Sequence, residues 1–565
     1  MKTKKFINSL FLALSLTFTA CTLDFAPNSV ISKDALSADN FPLLTAPMYN
    51  LYWSNFNGQF YFGLGDGMSY NLRGIYSPYI APYGDFNVTA LTPTLIDGWN
   101  SLYVIVQQSN KVINDIQAVS GVSDDQKVPY IAEARFMRGL AYWHLTSLWG
   151  KVILSTDPSV LVQNPIVNTN TQDDGFQFAM RDMEYAAKYL PETPSATGRI
   201  TKYSAFGMLS RFYLAYSGFV ASGFGQNPNC GSRDQSYLDL AKKAAEKVIS
   251  NGQYKLMSNY PDLFKIENNN NSESLFAFQW VPKLYNSADG KVGSSVINSQ
   301  QAYFAFSSLI TGDDAAWGGG GTGCPYDMIK EYELNDSIRR KATWMGNGDY
   351  YPEINKANGG LTYNNTVFSG TSSSGAEGWL SVKKGIVGSP NDTGGASARM
   401  NSALDNYMMR LAEVYLNYAE AILGNNASTS DATALEYFNA VRSRAGLIPK
   451  LSITWEDIRH ERRVEFCLEG RYWYDLLSRA YYQQQQVINY LINQDRGNVV
   501  NYLFDAPNTL SIDQNHAPGT RAVATPTAQT LLLPYPQSEV TQDPKMAEPP
   551  VPYTFTEERI TDLFN

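Results

Sequence analysis

Histidine and cysteine are scarce in this chain, which has three histidines and four cysteines among 565 residues. None of them stands at a C-x-x-C or Cys/His spacing, so the sequence predicts no metal site. A Walker loop, a G-x-S-x-G elbow and an H-E-x-x-H motif are also absent. His144 lies on an apolar helical stripe that indicates packing, while His460 and His516 have no partner at motif spacing. We therefore expect no cofactor and no enzyme activity.

A pair of carboxylates is the remaining catalytic option, because two acids held about 5 to 10 Å apart can hydrolyse a glycosidic bond. Asp313 with Asp314, and Glu465 with Glu469, are candidate pairs. Neighbouring carboxylates are common in proteins, and their spacing along the chain does not place two of them across a sugar. Glycoside hydrolysis therefore stays an unfavoured alternative.

An excess of positive charge is also missing. Lys and Arg number 44 against 53 Asp and Glu, which gives a formal net charge of -9 and a pI of about 5.1. No basic cluster resembles the stripe that follows a phosphate backbone, so nucleic acid is not an expected partner. Aromatic residues, by contrast, make up 13% of the chain, with 37 Tyr and 10 Trp. Core packing does not readily use so many, and we expect some to be exposed for binding.

No apolar run reaches the roughly 20 residues that a transmembrane helix needs. A shorter run, residues 6–18, follows three lysines and ends just before Thr19-Ala20-Cys21. This arrangement predicts a signal peptide over residues 1–20 and acylation of Cys21, which would anchor a lipoprotein to a membrane. Ordinary secretory cleavage near Ala20, with an incidental cysteine, is the alternative.

The other three cysteines are far apart in the sequence. Cys467 falls among helix-forming residues and is expected to be a buried small hydrophobe. Cys230 and Cys324 lie in glycine-rich loops and could form a disulfide in an oxidising compartment, although the sequence does not decide this point.

The organisation of the chain indicates a single domain over residues 21–565. Helical patterns predict a scaffold mainly at 36–250 and 404–495. Concentrated Gly, Asn and Ser predict loop-rich insertions, mainly at 54–95 and 251–403. The predicted fold class is therefore mainly α, an irregular tetratricopeptide-like array of about four helical hairpins with long inserted loops and few short strands.

Local signals support this array. Ser123 and Gln126 match a capping box, which predicts a helix start. Gly139 and Ala141 lie between large apolar residues and would let a second helix approach closely. The first members of the predicted hairpins cover 41–53, 130–149, 203–219 and 407–423, and the second members cover 99–116, 173–190, 238–250 and 432–445.

Another capping box, at 454–457, predicts a helix through Glu469 that Gly470 interrupts before a helix at 472–491. The stretch between Ile458 and Arg479 is dense in charges of both signs. It is interpreted as an interlocked ion-pair network.

The helical spacing of these charges suggests specific pairs. Arg462 can reach Glu465, and Arg471 can reach Asp475, at neighbouring positions on a helix. The aromatic residues of the segment are expected to pack beneath the charges.

This charged segment closely resembles the C-terminal signature of the SusD/RagB family, a Glu-Arg-Arg-x-Glu core at 461–465 followed by Glu-Gly-x-Arg-x-Tyr/Phe-Asp-Leu. The resemblance extends in family order over essentially the whole chain after Cys21. Its other landmarks are Trp99 and Tyr103 leading to 110–113, 133–140 through Trp149-Gly150, 410–420, and 533–536 with Asp543-Pro544.

The resemblance implies a helical lipoprotein that is exposed at the cell surface, anchored by lipid to the outer membrane. Such a protein sits as a lid on a SusC-like TonB-dependent barrel and delivers oligosaccharides or polysaccharides to it. In family members the ligand binds on the loop-rich face, and its contacts differ between members. No motif therefore carries ligand residues over to this chain.

Two loop stretches supply the candidate ligand contacts, because a sugar needs aromatic platforms for its C–H faces and polar groups for its hydroxyls. In both, glycines expose the neighbouring side chains. Trp317, which precedes four glycines at 318–321, is the strongest candidate platform. The full set comprises Asp66, Tyr70, Arg73, Tyr76, Phe86 and Asn87 in the first stretch, and Tyr303 and Trp317 in the second.

Glycan capture is thus the favoured function. Oligopeptide capture is an alternative, because RagB-type relatives deliver peptides through a similar lid, and aromatic side chains would suit peptides as well. The sequence does not name the sugar, its linkage or its length.

Overall fold

The structure, a computed structural model, describes residues 36–53, 55–74, 79–280, 298–304, 322–364, 380–398, 401–499, 502–506, 508–514, 519–520 and 522–564. The predicted signal peptide, Cys21, Tyr76 and Trp317 lie outside these ranges. Within them, no helix is both long enough and apolar enough to cross a membrane.

Helices dominate the fold. They are α1 Phe41–Thr45, α2 Ala81–Gly84, α3 Pro93–Ala118, α4 Asp124–Trp149, α5 Pro158–Gln163, α6 Gln172–Tyr189, α7 Lys202–Ala221, α8 Gln235–Ser250, α9 Gln300–Phe304, α10 Tyr326–Ile329, α11 Ser337–Thr343, α12 Leu411–Leu423, α13 Ala432–Arg444, α14 Trp455–Glu465, α15 Tyr472–Asn493 and α16 Gln537–Gln542. Two π-helical turns, Phe56–Phe60 and Gly63–Met68, precede α2.

The described strands are short and pair two by two, always antiparallel. The pairs are β1 Ser274–Phe278 with β8 Asn406–Arg410, β2 Trp344–Met345 with β5 Ser381–Val382, β3 Tyr350–Tyr351 with β4 Leu361–Thr362, β6 Ser397–Ala398 with β7 Asn401–Ser402, β9 Ser428–Thr429 with β10 Ile453–Thr454, β11 Asn498–Val499 with β14 Gly519–Thr520, and β12 Tyr502–Asp505 with β13 Thr509–Ile512. The mainly helical fold class is confirmed.

The long helices pack in succession, and three of the four predicted hairpins form: α4 with α6, α7 with α8, and α12 with α13. The first predicted hairpin was wrong. Residues 41–53 fold as α1 and short 3-10 turns in which Pro42 and Pro47 stand at helix starts, and α3 packs against α4 instead. Proline lacks the N–H that a longer helix would need at these positions.

Two helix boundaries in the structure also differ from the predicted ones. Residues 407–410 belong to strand β8, because their backbone pairs with β1, and the helix begins at Leu411. Helix α14 ends at Glu465 rather than Glu469. The left-handed conformation of Leu468, at φ 62°, and of Gly470, at φ 70°, breaks the helix before α15.

Helix α4 is the centre of the main core, and both of its predicted apolar stripes are buried. A Cβ on Gly139 would stand 2.9 Å from the carbonyl oxygen of Ala179, so α4 and α6 approach closely at this glycine, as predicted. Trp143 stacks on Phe212 of α7 at 3.9 Å between ring centroids. The predicted packing role of His144 is confirmed, because the ring is buried and shares a 2.8 Å hydrogen bond with the hydroxyl of Tyr474.

The loop-rich parts of the chain share a second core with the segment that joins α14 to α15. Phe62, Phe304, Trp344, Cys467 and Tyr502 are among its buried members. This core ties together loops that lie far apart in the sequence.

The three described cysteines are free thiols, so the possible Cys230–Cys324 disulfide is not formed. Cys324 and Cys467 are buried, and burial raises the pKa of both thiols. The expectation that Cys467 packs as a small hydrophobe is confirmed.

Candidate functional site

Asp66, predicted to meet a ligand hydroxyl, is instead fully buried inside the π-helical turn Gly63–Met68. Its carboxylate accepts hydrogen bonds from the backbone N–H groups of Leu468 at 2.9 Å and Gly470 at 2.8 Å, and from the Asn71 amide at 3.2 Å. Burial raises its pKa to about 6, although these donors oppose the shift. Asp66 therefore caps the turn between α14 and α15 and does not reach a surface ligand in this structure.

Tyr70 and Phe86 hold a buried cation. The guanidinium carbon of Arg496 lies 4.8 Å from the centroid of the Tyr70 ring and 4.1 Å from that of Phe86. Arg496 also donates to the carbonyl oxygens of Gly84 and Met68. Tyr70 is buried and has little accessible surface for the predicted stacking on a sugar, whereas Phe86 is half-buried.

Arg73 is also buried, and its backbone shows how the two predicted stretches meet. The N–H of Arg73 donates to the carbonyl oxygen of Gly323 at 3.0 Å, and the N–H of Gly323 donates back at 2.8 Å. Phe62 and Phe304 make a second contact, edge to face at 5.3 Å. Tyr303 precedes Phe304 in α9. The residues on both sides of the Trp317 segment thus lie against the first stretch or against Phe62 just before it.

Among the described residues, the accessible side chains here include those of Asn87 and Tyr79. Asn87 is exposed, as a ligand contact requires. Tyr79, which the sequence analysis did not select, is 38% exposed, and its carbonyl group packs against Gly63, where no Cβ fits. Its position after Ser77-Pro78 is the signal that could have pointed to a displayed ring. We call this junction, where residues 62–87 meet Phe304 and Gly323, the loop face.

Arg463 of α14 holds the base of the loop face. Its guanidinium donates to the Asn71 side chain at 3.0 Å, to Asp327 at 2.7 Å and to Glu331 at 2.8 Å. Asn71 belongs to the first stretch, and Asp327 follows the second. The buried guanidinium group of Arg463 thus connects both stretches to helix α14 of the scaffold.

Glu465 is the centre of a deeper ion-pair network. Its carboxylate accepts from Arg410 at 2.6 Å, from Arg339 at 3.3 Å and from Arg444. Burial alone would raise the pKa of Glu465, but the three guanidinium groups hold it well below its usual range. Arg410 further binds Glu273 at 2.8 Å, so β8, α13 and α14 are joined through charges.

The ion-pair network was predicted, but the individual pairs within it differ from the predicted ones. Arg462 pairs with Asp475 at 2.6 Å rather than with Glu465, and Arg471 contacts Glu413 at 3.1 Å rather than Asp475. The expected pairs within one helix are replaced by pairs between elements, because these side chains point into the core. Within the described ranges, no group of His, Cys, Asp or Glu side chains could hold a metal ion.

Two family models match the chain, one described as the SusD family over residues 240–551 and one described as starch-binding associating with outer membrane over residues 82–214. A SusD-like protein from Bacteroides ovatus is 39% identical over 567 residues, which cover 96% of this chain and 97% of that relative. The chain belongs to the SusD family.

Solved structures share the fold. A crystal structure with xylogluco-oligosaccharide is 38% identical, with a TM-score of 0.80, and covers 92% of this chain and 100% of that one. Surface glycan-binding protein A from Bacteroides thetaiotaomicron, in complex with laminarihexaose, is 20% identical with a TM-score of 0.65 over 89% of this chain and 97% of that one. At this identity the second likeness concerns the fold alone.

The family landmarks are scaffold contacts in this chain. Arg138 of α4 donates to Asn110 of α3 at 2.6 Å and pairs with Asp182 of α6 at 2.7 Å. Trp149 donates from its indole N–H to the carbonyl oxygen of Pro534 at 2.9 Å. These landmark residues therefore hold helices and the C-terminal segment together, whereas Arg463 and Gly470 of the signature also contact the first stretch.

Proposed function

We propose that this protein is a cell-surface glycan-binding lipoprotein that captures oligosaccharides and delivers them to a SusC-like TonB-dependent transporter in the outer membrane. The main support is the 38% identical structure with xylogluco-oligosaccharide, whose whole length this chain covers. A xyloglucan-derived oligosaccharide is therefore the first ligand to test. The proposed role is binding without hydrolysis, with no bound cofactor.

We place the ligand at the loop face. Trp317 would be the stacking platform, with Tyr303, Tyr76 and Asn87 as further contacts, because sugars combine flat C–H faces with hydroxyl groups. The meeting of Arg73 with Gly323 supports this placement, since it brings the flanks of the Trp317 segment to the first stretch. Buried Asp66 and Tyr70 would act indirectly, by shaping the loops.

Isothermal titration calorimetry on a soluble form that lacks residues 1–21 tests the proposal. Xyloglucan heptasaccharide should bind, and chromatography of the ligand afterwards should recover it unchanged. Laminarihexaose and a mixture of oligopeptides serve as competitors of other classes. Binding of peptides alone would favour the RagB-type alternative, and released sugar products would favour a glycosidase. Either result would overturn the proposal.

Replacement of the platform tests the placement. Trp317→Ala should weaken heptasaccharide binding about thirtyfold, since an aromatic anchor commonly contributes about 2 kcal/mol. Phe224→Ala is the control, because Phe224 is a 52% exposed aromatic ring between α7 and α8. An unchanged affinity of Trp317→Ala would move the site elsewhere, and a lowered melting temperature would show that Trp317 packs in the core.

The transporter partner requires a separate test. The full-length lipoprotein, tagged at its C-terminus and extracted from outer membranes in mild detergent, should copurify with a TonB-dependent barrel. Recovery of the lipoprotein without a barrel, under conditions that keep membrane complexes intact, would contradict delivery to such a partner.

A further inference from the structure

A cleft of about 1030 Å³ lies in the loop-rich part of the chain, apart from the loop face. Its walls come from the turns at 259–267, from helix α11, from strand β3 and from residues 383–393. None of the predicted ligand residues within the described ranges lines it. Its volume is at the upper end for small-molecule sites, which commonly measure about 300 to 1,000 Å³.

Tyr350 presents a fixed aromatic ring to this cleft. Strand β3 points Tyr351 into the second core and leaves Tyr350 46% exposed. The Tyr350 hydroxyl donates to the carbonyl oxygen of Gly359 at 2.8 Å. A Cβ on Gly360 would lie 2.7 Å from the ring, so the ring rests directly on the glycine backbone. The ring is thus held at its hydroxyl end while the side chain stays accessible.

An aromatic ring that is both fixed and accessible is well suited to stacking on a sugar. A ring that is held before binding loses little conformational entropy when a ligand stacks on it. The φ angles of 84° at Gly359 and 94° at Gly360 lie in the left-handed region, which glycine adopts without strain. The two glycines therefore allow both the turn and the close approach of the ring.

Polar groups that line the cleft can hydrogen-bond hydroxyls. The Lys383 ammonium pairs with the Glu353 carboxylate at 3.2 Å, and the ammonium of exposed Lys341 lies 5.5 Å from the Tyr351 ring centroid. The cleft is lined by cations and anions in nearly equal number, namely Lys265, Arg340, Lys341, Lys356 and Lys383 with Glu267, Asp349, Glu353 and Asp392. This balance favours a neutral polyhydroxylated ligand over a strongly charged one.

Apolar side chains complete the cleft. Phe264, Ile338, Pro352 and Val387 line its walls and can contact C–H faces of a sugar. We propose that the cleft is a second oligosaccharide-binding site, with Tyr350 as its stacking platform. Two sites on one chain would hold a polysaccharide at two points, and such bivalent attachment raises the apparent affinity without any new contact at the loop face.

The test compares Tyr350→Ala with Tyr189→Ala, a control at the end of α6 where the tyrosine is 39% exposed. Calorimetry with xyloglucan heptasaccharide should give two ligands per chain for wild type and the control, and one for Tyr350→Ala. Retention on immobilised xyloglucan polysaccharide should fall roughly tenfold or more for Tyr350→Ala alone. Lys341→Ala, on the rim, is a second variant in case Tyr350→Ala fails to fold.

Amide hydrogen exchange shows which part of the chain the ligand contacts. The heptasaccharide should slow amide exchange in peptides that cover residues 337–363 in wild type, and not in Tyr350→Ala. A single ligand per chain with no protection of these peptides would overturn the second site while the proposed function stands. A wild-type protein that binds no glycan would overturn both, and protection by oligopeptides alone would assign the cleft to a different ligand class.

Discussion

Replacement of Glu465 by alanine is the most direct perturbation of the ion-pair network. The side chain is fully buried, at 0% exposure, and its carboxylate is shared by Arg339, Arg410 and Arg444. Glu465→Ala removes this acceptor. The three guanidinium groups then have less negative charge nearby to balance their positive charge in a medium of low dielectric.

The expected loss is the one that follows removal of one partner from a buried pair, about 3 to 5 kcal/mol in the free energy of unfolding. An exposed ion pair contributes about 0 to 1 kcal/mol by comparison. Remaining acceptors limit the loss, because Arg410 keeps Glu273 and Glu469, and Arg339 keeps other carboxylates. We therefore expect a value within this range rather than above it.

Chemical denaturation followed by tryptophan fluorescence measures this loss on the soluble form, with Glu436→Ala as control because Glu436 is exposed on α13. The folded pKa of Glu465 is lowered, so its contribution is present above the unfolded pKa and is lost as pH falls below about 4.5. The difference between wild type and variant should narrow in that range. A Glu465→Ala protein as stable as the control, or a stable protein that has lost glycan binding, would refute the structural role of this residue.

Three further predictions concern other parts of the chain. Cys21→Ala should release the full chain from membranes in cells that lack the transporter, as measured by fractionation, since only acyl chains would hold it there. In denaturation experiments, Asp405→Asn should raise stability by a few kcal/mol at pH 8, and this gain should shrink as pH falls from about 7 towards about 4. Burial raises the folded pKa of Asp405 to about 7, above the unfolded value of about 3.9, so the wild type loses stability as pH rises between these two values. A thiol reagent should label only Cys230 in the native soluble form and also Cys324 and Cys467 after unfolding, whereas a Cys230–Cys324 disulfide would leave Cys467 alone.

The helical scaffold could be predicted from the sequence because its signals are local. The capping residue Ser123 and the burial of both stripes of α4 follow from periodicity and side-chain hydrogen bonding. Gly139 likewise indicated the close helix contact with Ala179. Such patterns involve neighbours within one or two turns, and tertiary contacts did not overrule them.

Long-range contacts explain where prediction failed. Asp66 lies in a glycine-rich stretch typical of an exposed loop, yet its carboxylate caps backbone N–H groups about 400 positions later in the chain. Tyr70 was assigned to a ligand, but its ring covers Arg496. Nothing in the local pattern around either residue points to these distant partners. The exposure of Tyr350 depends in the same way on a turn at Gly359 and Gly360.

Buried charged side chains connect the loop segments, which the short strands hold together only weakly. Strand pairs of two residues, such as β2 with β5, provide few backbone hydrogen bonds between loop segments. A guanidinium group has five N–H donors and can bind several segments at once, as Arg463 does with Asn71, Asp327 and Glu331. Desolvation of such groups is unfavourable unless each is fully paired, so the arrangement tolerates little displacement of the partners. Loops held in this way can present a ligand site of defined shape without regular secondary structure, while their outward side chains remain free to determine which ligand binds.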